Sequence, residues 1–141
     1  MFMTFIGKFH PLLVHFPIAL VLAAAAAELV VLATTRTAWR TVAVANIRAG
    51  AALGIVTAVT GWLFAAGPLV DASPSLEWHR WLGMAGVAGA IGAALLSSRL
   101  PVASRRSAVG YRVTLFVTAL LVAITGHLGG TLVWGAGFLG R

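Results

Sequence analysis

The chain contains no cysteine. That removes disulfides, iron–sulfur clusters, thiolate zinc sites and the CxxCH attachment of a c-type haem. Acidic residues are nearly as scarce, three Asp and Glu against ten Lys and Arg, for a net charge of +7. No carboxylate dyad, nucleophile–base pair or phosphate-binding loop is visible, so the common hydrolase designs are excluded. Charged residues make up only 9% of the 141 positions, where a soluble domain carries about 25%. Apolar residues take their place, 60% of the chain, with a mean hydropathy of +0.99. Such a composition suits neither a soluble globular domain nor a disordered one, and identifies an integral membrane protein.

A spanning helix needs about 20 apolar residues, and four runs meet that length. They are placed at about 12–33, 42–66, 78–98 and 113–134. The expected fold is therefore all-α, a single transmembrane domain forming an up-down-up-down four-helix bundle. Span one is expected to be retained rather than cleaved as a signal peptide. Its apolar run continues past Glu28, and a single lysine, Lys8, precedes it.

Basic residues set the expected orientation. The loops after spans one and three hold Arg36, Arg40, Arg99, Arg105, Arg106 and Arg112, and the opposite side holds Lys8, Arg80 and Arg141. The positive-inside rule then puts both termini outside the cytoplasm, in a bacterial inner membrane. Trp62, Trp78, Trp81 and Trp134 fall near the outer span ends, where amphipathic rings settle. Basic residues lying between apolar runs in this way do not suggest nucleic-acid binding. Glycines at 50 and 54, at 83, 86, 89 and 92, and at 126 and 130 suit close helix packing in lipid.

With this topology all four histidines, His10, His15, His79 and His127, fall in the outer half of the membrane. At about 1.5 Å per residue, His15 lies about 7 Å, His127 about 10 Å and His79 about 2 Å from the outer span ends. Imidazoles on facing helices, flanked by small residues, are what a b-type haem requires. His15 and His127 are the best matched in depth and are the expected axial ligands, with His79 the substitute for either. His10 and His15 are five residues apart, about 140° around a helix, and are not expected to share an iron. Arg80 or Lys8 is placed to meet haem propionates. A copper or zinc site is the alternative use of the imidazoles, but the outer acids Asp71 and Glu77 offer it little support. Pro17, inside span one, is expected to kink the helix beside His15. Glu28 and Arg48 are ionisable groups within spans, and their depths suggest an ion pair between spans one and two.

The boxes His10-Pro-Leu-Leu-Val-His15-Phe-Pro17 and Gly126-His127-Leu-Gly-Gly130-Thr-Leu-Val resemble those of a family of bacterial predicted membrane proteins catalogued as a domain of unknown function. The resemblance covers nearly the whole chain. It implies four spans and an inner-membrane location. It also implies a link to c-type cytochrome modules, which similar domains sometimes adjoin. The family's second box usually continues with tyrosine and then histidine, where this chain has Trp134 and Ala136. His79 matches only a looser pattern in the third span. Three functions follow as expectations. The first is a haem b electron-transfer protein, with a periplasmic c-type cytochrome or a larger membrane complex as partner. The second is a non-catalytic anchoring subunit of such a complex. The third, weaker for want of a continuous polar path, is metal or proton transport.

Overall fold

A computed structural model describes residues 2–68, 70–99, 105–135 and 137, in six helices: α1 (Phe2–Gly7), α2 (His10–Leu13), α3 (His15–Thr34), α4 (Ala38–Ala65), α5 (Pro74–Ser97) and α6 (Arg105–Trp134). No strand occurs among the described residues. Four helical stretches are long and apolar enough to cross a membrane: Phe5–Thr34, Ala38–Ala65, Pro74–Ser97 and Arg106–Trp134. They are called spans one to four below. Each corresponds to one apolar run of the sequence, and they extend those runs at several ends. Ala136, Arg141 and the loop at 100–104 lie outside the described residues, as does the side chain of Arg105.

Span one is segmented, and its prolines explain where. Pro17 has no N–H for the carbonyl of Leu13, and the next bond, Ile18 N–H to the Val14 carbonyl, is stretched to 3.4 Å. The helix is interrupted at Val14, beside His15. A tight hairpin joins spans one and two through Thr35–Thr37, and Thr35 adopts the left-handed conformation at φ 59° that ends α3. Span three starts with a capping hydroxyl: Ser73 Oγ accepts from Leu76 N–H at 3.2 Å, and Pro74 follows at the first helical position.

The contacts run in opposite numerical directions on neighbouring spans, so these spans are antiparallel. A Cβ on Gly50 would meet Leu20 and Val21, one on Gly61 would meet His10, and Arg40 reaches Glu28. Spans three and four repeat the pattern through Gly86 with Val122 and Gly129 with His79. Spans two and three meet at Gly54 and Val87, and spans four and one at Gly126 and Ile18. The core is built mostly of small side chains, among them Ala24, Ala43, Ala90 and Ala93, with Ile47, Tyr111 and Leu115 as its large members. Large apolar residues such as Leu29, Val59, Leu95 and Leu120 face outward instead. Hydrocarbon surrounds them as well as a core would, while the small inner faces let backbones approach closely.

Candidate functional site

His10 and His79 come together across the bundle. Their ring centroids are 6.4 Å apart, with the planes at 80°. His10 Nδ1 lies 3.0 Å from the Thr57 carbonyl oxygen, and His79 Nδ1 lies 3.0 Å from the Thr125 carbonyl oxygen. A carbonyl can only accept, so each Nδ1 carries the proton and donates it. Each Nε2 is left with its lone pair, the form of imidazole that binds a metal, oriented by a backbone hydrogen bond at the other nitrogen.

Glycines make room for both rings. A Cβ on Gly61 would stand 2.8 Å from His10 Cε1, and one on Gly129 would stand 3.0 Å from His79 Cε1. Here glycine is required by the close approach of an imidazole to a helix backbone. Beside them the bundle is open at Gly130, where an added Cβ would meet nothing within 4 Å. Phe64 stacks near His10, at 6.5 Å between centroids.

The other histidines are elsewhere. His15 is exposed, with its Nδ1 3.4 Å from the carbonyl oxygen of Leu12 in α2, and His127 is exposed on span four. Helical phase accounts for both. His127 lies two residues from Thr125 and from Gly129, about 200° round the helix from the inner face. His15 is about 140° from His10. Depth alone matched His15 to His127, whose side chains are exposed, and the two rings that meet are those of His10 and His79.

Next to His79, Arg80 lies with its guanidinium 3.6 Å above the Trp62 ring, and Trp62 meets Trp81 edge-on at 6.4 Å. These residues, with Ser73, Leu76 and Glu77, line a cleft of about 310 Å³. Arg80 Nε is buried there without a hydrogen-bond partner. Lys8 is exposed.

At the opposite end of the bundle the expected Glu28–Arg48 pair does not form. Glu28, fully buried, accepts on Oε1 from Arg40 Nη2 at 2.7 Å and from Arg112 Nε at 2.8 Å. Arg48 Nε instead donates to Ser97 Oγ at 3.1 Å. The short loop sets this register. It brings Arg40 opposite Glu28, and Arg48 lies two turns, about 12 Å, further along α4. The second arginine comes from span four, which depth matching between spans one and two did not consider. Tyr111 Oη and Glu28 Oε2 are both buried without a hydrogen-bond partner.

Among the described residues, no group of three or more His, Asp or Glu is placed to hold a metal ion. The donor set at the imidazole pair is therefore two nitrogens. Two imidazoles on opposite sides of one metal, at about 2.0–2.1 Å per nitrogen, have ring centres roughly 6 Å apart, and the ring centres of His10 and His79 are 6.4 Å apart. Such a pair is too few for a bare structural zinc centre, which takes four ligands. Two imidazoles are as many protein ligands as a haem iron takes beyond its porphyrin.

No curated protein and no solved structure matches the chain. A family profile does, over residues 8–139, which contain His10, His79 and the carbonyls and glycines that hold them; the chain belongs to the predicted membrane protein family DUF2231.

Proposed function

We propose that this membrane protein binds one haem b between His10 and His79 and passes electrons near one membrane face. The observation that carries the proposal is the pair itself: two imidazoles at a metal-sharing separation, each held by an Nδ1–H bond to a backbone carbonyl with Nε2 left unprotonated. A bound haem would supply one-electron chemistry. The protein's part is to fix both ligands before binding, so that little ordering remains to be done when the iron is held. Thr57 and Thr125 set the tautomers, and Gly61 and Gly129 admit the rings. Arg80, clamped on Trp62 and lining the adjoining cleft, is the cation offered to a propionate.

The arginines of the opposite end support an orientation in the bacterial inner membrane with the imidazole pair toward the outside. A redox partner, such as a periplasmic c-type cytochrome or a larger membrane complex, would then reach the site from that side. The test is a visible spectrum of detergent-purified protein from haem-replete cells, first oxidised and then reduced. The expected result is a Soret band, with the sharpened visible bands of a six-coordinate low-spin haem on reduction, at about one haem per chain. A preparation with no Soret absorption would overturn the proposal and leave a non-catalytic anchoring subunit as the better reading.

A further inference from the structure

The two imidazole environments match in their carbonyl and glycine partners. His10 pairs with the Thr57 carbonyl and packs on Gly61, and His79 pairs with the Thr125 carbonyl and packs on Gly129. Thr57 and Thr125 each also donate their hydroxyl one turn back, to Leu53 and Leu121, at 2.8 Å. The histidines are 69 residues apart, and both the threonines and the glycines are 68 apart.

The same offsets relate the buried faces. Pro17, Val21, Ala24 and Glu28 of span one are buried, and so are Gly86, Ala90, Ala93 and Ser97 of span three, each 69 later. Ala43, Ile47, Ala51 and Thr57 of span two correspond to Tyr111, Leu115, Ala119 and Thr125 of span four, each 68 later and all buried. Helical periodicity would align any two inward stripes by itself. It would not also align a histidine, the carbonyl it bonds and the glycine it rests on.

One packing contact recurs with its partners exchanged. Leu20 of span one fills the space beside Gly50 of span two, whereas in the second hairpin the glycine is Gly89 of span three and the larger residue is Thr118 of span four. Exchanging the larger and the smaller partner keeps a close contact while it erases the sequence identity.

From these correspondences we infer that the chain is a tandem duplication of one helical hairpin, and that the imidazole pair is a composite site on the pseudo-twofold axis between the copies. Each hairpin crosses the membrane twice, so both copies keep one orientation and the axis runs along the membrane normal. Each copy brings one imidazole, one carbonyl and one glycine. Neither hairpin holds a complete site. The ligand class this selects is one with two equivalent trans positions, as in a metal at the centre of a planar macrocycle. This inference rests on reading the pair as a ligand site, and it adds that the two halves are equivalent.

The test uses the full chain in detergent micelles, with histidine labelled by nitrogen-15 in the ring and hemin as the probe. Without hemin, His10 and His79 are expected to show the same Nδ1–H tautomer, a readout that requires no haem binding. With hemin, His10→Ala and His79→Ala are expected to behave as twins. Each should lose at least about 100-fold in hemin affinity, the two losses agreeing within about threefold, and each should turn a low-spin ferric spectrum high-spin. His15→Ala and His127→Ala, whose side chains are exposed and stand apart from the pair, should change neither the His10 and His79 tautomers nor hemin affinity and serve as folded controls. Matching tautomers without hemin binding would sustain the equivalence of the halves and overturn the haem reading instead. Different tautomers, or a loss confined to one histidine variant, would overturn the composite site while leaving haem binding itself possible through one ligand.

Discussion

The two ends of the bundle have kept different amounts of their symmetry. At the imidazole end the hairpins offer the same three groups in the same geometry. At the arginine end, Glu28 of span one takes two arginines, while the equivalent position of span three is Ser97, which accepts from Arg48. A site on a twofold axis needs both halves alike, because each supplies one of two equal ligands. A charge cluster has no such need. One buried carboxylate that takes two partly exposed guanidiniums on a single oxygen already fastens three spans, and a second carboxylate at Ser97 would add another desolvation cost. On the proposed reading, one end binds and the other holds the spans together.

The largest effect on stability is expected at Glu28. Glu28→Ala leaves Arg40 and Arg112, both partly exposed, without their shared acceptor and should cost about 1.5–3 kcal/mol, read from denaturation in mixed micelles. Arg40→Met or Arg112→Met alone should cost less, since one arginine remains on Oε1. Replacing all three with apolar residues should recover part of the loss, because no uncompensated charge is left. A triple variant worse than the sum of its singles would break the assignment of cohesion to this end. Arg48→Met should not behave as a partner of Glu28 in any such cycle.

Next come the ligands. His10→Ala and His79→Ala should each abolish the low-spin spectrum while leaving the denaturation midpoint closer to wild type than Glu28→Ala does. His15→Ala and His127→Ala, both on exposed side chains, should retain the spectrum. A spectrum lost with His15 or His127 but kept without His10 would reverse the placing of the site.

Gly61→Ala and Gly129→Ala probe the same end more gently. Their new Cβ atoms would press on imidazole carbons at 2.8 and 3.0 Å, so the rings must shift. A loss of about 10-fold in hemin affinity is expected for each, in the range seen when outer-shell support is disturbed. Gly130→Ala, with open space around it, should have no effect. Unequal losses for the two tight glycines would weaken the claim that the halves match.

The fold was legible in the sequence because length and hydropathy decide what crosses a membrane. The inner faces were harder to read. In lipid the outward face is as apolar as the core, so hydrophobic periodicity does not separate them. A usable signal was the helical stripe leading from the intramembrane carboxylate: Glu28, Ala24, Val21 and Pro17 fall three or four apart, and two further turns reach His10, not His15. Depth without phase led instead to His15 and His127. The duplication stayed hidden because most paired positions keep their place on the inner face and not their residue type. The small–large exchange at Leu20–Gly50 and Gly89–Thr118 shows how.

The smallest expected effect concerns the position where the symmetry is broken. Ser97 is buried, accepts from Arg48 Nε, and donates to the Ala94 carbonyl at 2.6 Å, one helical turn back. Ser97→Ala removes both bonds. The Ala94 carbonyl, within α5, keeps its helical surroundings, and Arg48 is exposed enough to turn its guanidinium toward headgroups and water. Neither partner is left as a buried orphan, so the loss should be only about 0.5–1 kcal/mol, the net worth of an ordinary hydrogen bond. The same denaturation assay used for Glu28 measures it. A loss at Ser97 as large as that at Glu28 would mean that both hairpins still fasten this end equally, and the contrast between the two ends would no longer hold.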